Sequence, residues 1–141
     1  MSPPAVPPDA VAVELSVPFH EVDSLEVVWH GHYVRYLEAA RMELERRRNL
    51  DVPELKRLGY HFMVAQTHLK HVAPLRYNDR VRVSAWVTEC TFRLEFEYEV
   101  FNLTSGKRAA TGRSVLVVMN DKGEMCMRTP DVIRERIVGR A

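Results

Sequence analysis

One segment limits the folds open to this chain more than any other. From Tyr33 to Arg48 the sequence YVRYLEAARMELERRR contains neither Gly nor Pro and places Tyr33, Leu37, Ala40 and Leu44 at i, i+4, i+7 and i+11. That spacing predicts one long amphipathic helix with a single apolar stripe to bury. After Gly59 the pattern switches to a period of two, through HFMVAQTHLKHVAPL, RVRVSAWVTEC, TFRLEFEYEVFNL and RAATGRSVLVVMN. The third segment is the clearest, with Phe92, Leu94, Phe96, Tyr98 and Val100 alternating against Arg93, Glu95, Glu97 and Glu99, so one face is buried and the other wet. Turn residues separate the segments at Tyr77-Asn78-Asp79, Thr104-Ser105-Gly106 and Asp121-Lys122-Gly123, which predicts an antiparallel meander. A sheet with one apolar face and one long helix must bury them against each other.

The flanking segments complete an α+β order. Val11 to Phe19 alternates loosely and reads as a first strand, with Pro18 near its end. HEVDSLEVVWHGHY fits neither period and is expected to be a structured loop. A short helix is expected from Pro53, over Glu54 to Leu58, stopped by Gly59. A last helix is expected over Pro130 to Val138, with Thr129 as N-cap and Pro130 in the first helical position. Arg35, Glu38, Arg41 and Glu45 are spaced to pair with one another as a solvated strip on the long helix.

Composition narrows the classes of function. At 141 residues the chain suits one domain, read here as residues 11–141 behind a loose proline-rich tail of residues 1–10. The formal net charge of +1 argues against a nucleic-acid binder that works by neutralising many phosphates. No apolar run is long enough to span a bilayer. Cys90 and Cys126 are far apart and in no metal-like spacing, and with the absence of a signal-peptide pattern they point to a reducing, cytoplasmic setting.

The residues from Phe19 to Arg41, FHEVDSLEVVWHGHYVRYLEAAR, resemble the signature of the 4-hydroxybenzoyl-CoA thioesterase-like branch of hotdog-fold proteins. Asp23, Val27, Val28, His30, Tyr33, Leu37, Glu38 and Arg41 fall in register with it, Pro74 and Asp79 match a later turn, and the likeness spans Val13 to Pro130. Two departures stand out: Leu25 and Glu26 occupy the region where the family usually has a glycine, and His32 stands where it often has Asn. The resemblance implies a hotdog fold, in which a curled antiparallel sheet wraps around one long helix. It also implies hydrolysis of an acyl thioester of coenzyme A or an acyl carrier protein, with Asp23 as nucleophile or general base. A homodimer or homotetramer with sites at the dimer interface follows from it too, and sheet-edge exposure independently favours pairing.

The chemistry is coherent on its own terms. Thioester hydrolysis needs a group that attacks or activates water and donors for the developing oxyanion. Asp23 precedes a helix entrance whose first N–H groups lack intrahelical partners. The N–H groups of His30, Gly31 or His32 are the expected oxyanion donors, with Tyr33 beside them, and Gly31 permits close approach to the backbone. Asp at this place also commonly does no more than cap a helix or turn. His30 reads equally as an orienting group or as a histidine satisfied by a backbone carbonyl. Glu38 is the rival carboxylate, its neighbours Arg35 and Arg41 favouring an ion-paired structural role. Lys70, Arg93 and Arg113, with Lys107 and Arg108, are the cations available to coenzyme A phosphates, though each also reads as a solvated face residue. His30 and His32 lack a third ligand, so no metal is expected, and no cofactor beyond the coenzyme A of the substrate. A non-catalytic acyl-thioester binder and a hotdog hydratase or dehydratase are the competing readings.

Overall fold

A computed structural model describes residues 5–139. The expected tail of residues 1–10 lies partly outside these. Within them, the Ala10 N–H closes a turn on the Pro7 carbonyl at 3.1 Å just before the first strand. The elements follow in the order β1 (Val11–Ser16), α1 (Tyr33–Arg47), α2 (Val52–Leu58), β2 (Tyr60–His71), β3 (Arg80–Glu89), β4 (Leu94–Asn102), β5 (Lys107–Asn120) and α3 (Asp131–Ile137), with short 3-10 turns at Phe19–Glu21 and His30–His32. The five strands form one antiparallel sheet in the order β1-β3-β4-β5-β2.

The apolar stripe of α1, carried by Tyr33, Tyr36, Leu37, Ala40 and Leu44, is buried against Val81, Val83, Ala85, Leu94, Phe96, Tyr98, Val100 and Leu116 of the sheet. Leu37 of the helix packs onto the sheet at Gly112, where a β-carbon would stand 2.9 Å from Leu37 Cδ1 and 3.3 Å from the His68 carbonyl oxygen. A side chain there would have to displace Leu37 or the strand. The architecture is the hotdog arrangement expected from the element order.

Several local expectations are corrected. β1 ends at Ser16 rather than Phe19, because Val17 leaves the sheet to donate to the Asp79 carbonyl and Pro18 has no N–H to offer a ladder. Phe92 is outside β4 and exposed. The Thr91 and Phe92 N–H groups bind Glu89 Oε2 and make a turn of that stretch. In α3, Pro130 is the N-cap and Asp131 the first helical residue, while Thr129 Oγ1 is buried with no described partner instead of capping. In α2, Val52 precedes Pro53, and the Asp51 side chain accepts from the Glu54 N–H. The charged residues of α1 do not form a solvated strip. Arg41 and Glu45 make a 2.9 Å pair with side chains only 11% and 7% exposed, and Arg35 pairs with Glu21 instead of Glu38.

Candidate active site

The stretch between β1 and α1 is a miniature hairpin. Val22 and Val28 form an antiparallel bridge, the Asp23 N–H donates to the Val27 carbonyl at 2.9 Å, and the Trp29 N–H donates to the Glu21 carbonyl at 3.0 Å. At the tip, the Glu26 N–H returns to the Asp23 carbonyl at 2.9 Å, and Glu26 adopts a left-handed φ of 66°. This is a three-residue loop, a tight turn closed by a left-handed bulge residue. Its geometry asks for glycine at the bulge. The departure noted at Glu26 therefore puts a residue with a β-carbon where the backbone favours glycine.

Asp23 sits at the base of this tip. Its Oδ1 accepts the Leu25 N–H at 2.8 Å, a turn-closing bond typical of Asp. No described residue donates to Oδ2, so one carboxylate oxygen is spent on orientation and the other is available. On the opposite arm the chain passes through Trp29 into the 3-10 turn and then α1. The His32 N–H is committed to the Trp29 carbonyl at 3.0 Å and the Tyr33 N–H to the His30 carbonyl. Of the three expected oxyanion donors, His32 is thereby removed. The N–H groups of His30 and Gly31 have no acceptor among the described residues, as the first N–H groups of a helical run must.

Gly31 has a second reason to be glycine. A β-carbon there would lie 2.1 Å from the Trp29 ring, so the indole rests across the Gly31 backbone. It is flanked by the rings of His30 at 5.0 Å and His32 at 5.5 Å and stays half exposed. A cavity of about 270 Å³ opens beside this arm, lined by Val27, Val28, His30 and Tyr33, with His71 and Pro74 among the residues opposite. The Tyr33 ring closes edge-on against His71 at 4.6 Å.

A residue that sequence reasoning missed anchors the hairpin. Glu21 is 2% exposed, accepts the Tyr36 hydroxyl and pairs with Arg35, so both side-chain contacts reach α1. Burial pushes the Tyr36 hydroxyl up to about 12, the Arg35 cation opposing the shift. The signal was a Glu in a segment without periodicity, which carries no sign of burial. Only the fold brings Tyr36 and Arg35 to it.

The remaining candidates are spread over the molecule. Glu38 is about half exposed on α1, 3.9 Å from Arg41. Arg93 and Arg113 both pair with Glu95, at 2.8 and 3.0 Å. Lys70 lies on β2 opposite Thr111, and Arg108 is bound to Glu99. Asp23 does not share a cavity with any of them.

The chain matches the thioesterase-like superfamily over residues 17–137, which takes in the hairpin, α1 and every strand but β1. The chain belongs to that family. Its relatives include a candidate esterase of Synechocystis, 31% identical over 121 residues, covering 84% of this chain and 73% of the relative. Among solved structures, a hypothetical protein from Thermus thermophilus is 30% identical with a TM-score of 0.79, covering 91% of this chain and 97% of that one. A 1,4-dihydroxy-2-naphthoyl-CoA thioesterase from Synechocystis superposes with a TM-score of 0.81 over 93% of this chain and 97% of that one, at 16% identity. That last likeness is one of fold.

Proposed function

We propose that the chain is a thioester hydrolase that cleaves an acyl-CoA or acyl carrier protein thioester, with the Asp23 carboxylate as nucleophile or general base and the His30 and Gly31 N–H groups as the oxyanion hole. One observation carries this reading: the two arms of a single hairpin present a carboxylate with an open oxygen and a pair of unpartnered N–H groups at a helix entrance. A thioester carbonyl held by the N–H pair gains stabilisation as its oxygen becomes negative, since the donors are fixed before reaction. The carboxylate then either attacks the carbonyl carbon, expelling the thiolate and forming a mixed anhydride that water hydrolyses to the free acid, or takes a proton from a water that attacks the carbonyl carbon as the C–S bond breaks and the thiolate leaves. Family membership supports the reaction class. His30 contributes its N–H in this scheme, and its imidazole lies tilted against Trp29. We place the reaction in the cytoplasm, where the free thiols Cys90 and Cys126 suit a reducing environment. No described helix is long and apolar enough to cross a membrane.

The test is release of free thiol from a panel of acyl-CoA and acyl carrier protein thioesters. Asp23→Asn keeps size and hydrogen bonding but removes basicity and most nucleophilicity, so turnover falls by about two to four orders of magnitude with little change in substrate affinity. Glu38→Gln is the control. Loss of turnover in Glu38→Gln with retention in Asp23→Asn would move the reaction to α1.

A further inference from the structure

The loop between β2 and β3 runs from the candidate site across the surface. Pro74 lines the cavity beside the hairpin, Leu75 accepts the Val28 N–H at 2.8 Å, and Arg76 and Tyr77 follow. Two residues of chain span at most roughly 7 Å, so the Arg76 backbone stands close to the cavity. Further along, the loop is tied to the root of the hairpin's first arm. The Asn78 N–H donates to the Val17 carbonyl and the Val17 N–H to the Asp79 carbonyl, both at 2.9 Å. Tyr77 is thereby held beside Phe19, and the two rings meet edge to face at 5.6 Å.

Folding alone gives these side chains little to do. Phe19 is 71% exposed and Tyr77 57%, so the pair keeps most of its area in water and adds little to the core. Scattered exposed apolar residues are ordinary, but two large rings fixed against each other near a cavity mark a contact surface. Arg76 is exposed as well, and its guanidinium is bound to no described carboxylate. Asp79, the one carboxylate of the loop, is already engaged, its Oδ2 taking the Arg76 backbone N–H at 2.9 Å and the Asn102 side-chain amide at 2.8 Å. Three of the cations expected to meet coenzyme A phosphates are committed elsewhere, Arg93 and Arg113 to Glu95 and Arg108 to Glu99.

We propose that Phe19, Tyr77 and Arg76 bind the nucleotide of coenzyme A, with the adenine against the exposed ring surface and a phosphate on the Arg76 guanidinium. The carrier of the acyl group is then coenzyme A and not an acyl carrier protein. Stacking on an aromatic face needs a planar partner, and the guanidinium fork matches phosphate oxygens, so rings beside an unpaired arginine suit a phosphorylated base. A carrier protein brings a phosphate but no base, and would leave the rings unused. The inference rests on the reading of the hairpin as the reacting end, from which the pantetheine arm passes over Pro74 to the loop.

The experiment takes the acyl group that the wild type cleaves best and compares its coenzyme A thioester with its pantetheine thioester, which lacks the nucleotide, by kcat/KM. The coenzyme A form should be favoured by about tenfold or more, mainly through KM, because a contact remote from the reacting carbon is made equally before and during reaction. Tyr77→Ala and Arg76→Gln should each lower that ratio about fivefold or more. The ratio is taken within one preparation, so a loss of folded protein cancels from it. A wild-type ratio near one, a ratio unchanged in either variant, or a higher kcat/KM for the acyl carrier protein thioester than for the coenzyme A thioester overturns the proposal. If no thioester is cleaved, the hydrolase reading fails and calorimetry with coenzyme A itself decides. Binding to the wild type that weakens about fivefold or more in both variants then upholds the nucleotide site, while no binding, or binding unchanged in either variant, overturns it.

Discussion

At Glu21 a carboxylate is withdrawn from water and held by two side chains of α1, two residues before Asp23 on the same arm of the hairpin. The carboxylate therefore sets where the hairpin stands relative to the helix entrance. Glu21→Gln keeps an acceptor for Tyr36 but removes the charge opposite Arg35. The expected result is a fall in kcat of about tenfold to a hundredfold with KM little changed, since small misplacements of reacting groups have costs of this order, and recovery in Glu21→Asp. A variant that only melts earlier, with kcat per folded molecule unchanged, would show Glu21 to be structural. Glu26 makes the opposite case, because its left-handed backbone is strained for any residue with a β-carbon. Glu26→Gly should raise stability by about 1 kcal/mol in chemical denaturation while leaving the hairpin path intact. Asp23 was legible in the sequence because an Asp before a long helix, in register with a family signature, is a local feature. Glu21 was not, since burial of a charge depends on partners fourteen and fifteen residues away that only a packed helix supplies.

Among the elements, α1 and the strands themselves were read from periodicity, because each has one face to bury, but the expected meander holds only for β3, β4 and β5: β2 pairs with β5 and β1 takes the place beside β3. The boundaries were less legible. β1 ends where Val17 finds an acceptor in Asp79, a contact between segments distant in sequence. Arg41 and Glu45 looked like a surface pair, and their i,i+4 spacing is the same whether the face meets water or a sheet. Packing at Gly112 leaves no room for a β-carbon, so Gly112→Ala must displace Leu37 or the strand. It should lower stability by about 1–3 kcal/mol, measured as a shift in denaturant midpoint without change in slope. Contact between α1 and the hairpin also has an alkaline limit. The Tyr36 hydroxyl ionises at about 12 in the fold against about 10 in an unfolded chain. Its raised value favours the neutral phenol, so the associated stability is complete below about pH 10 and is lost as pH rises toward 12. Up to about 3 kcal/mol is involved, and Tyr36→Phe should flatten that limb of the unfolding profile.

For the molecule as a whole, β2 is the exposed feature. It is twelve residues long at one edge of the sheet, interrupted by a bulge between Val64 and Gln66, and bears exposed Met63 and Val64. Such an edge is a template for another strand. We expect at least a homodimer through it, and a homotetramer of two such dimers is the fuller form that the family likeness implies. Light scattering that finds a stable monomer at micromolar concentration would end this expectation. The hairpin, by contrast, is tied to α1, through Glu21 to Tyr36 and Arg35. Asp23 and the His30–Gly31 stretch lie on the two arms of that hairpin, closed by the bridge at Val22 and Val28. Whatever shifts the start of α1 must therefore carry the hairpin with it, as a door post carries its hinge.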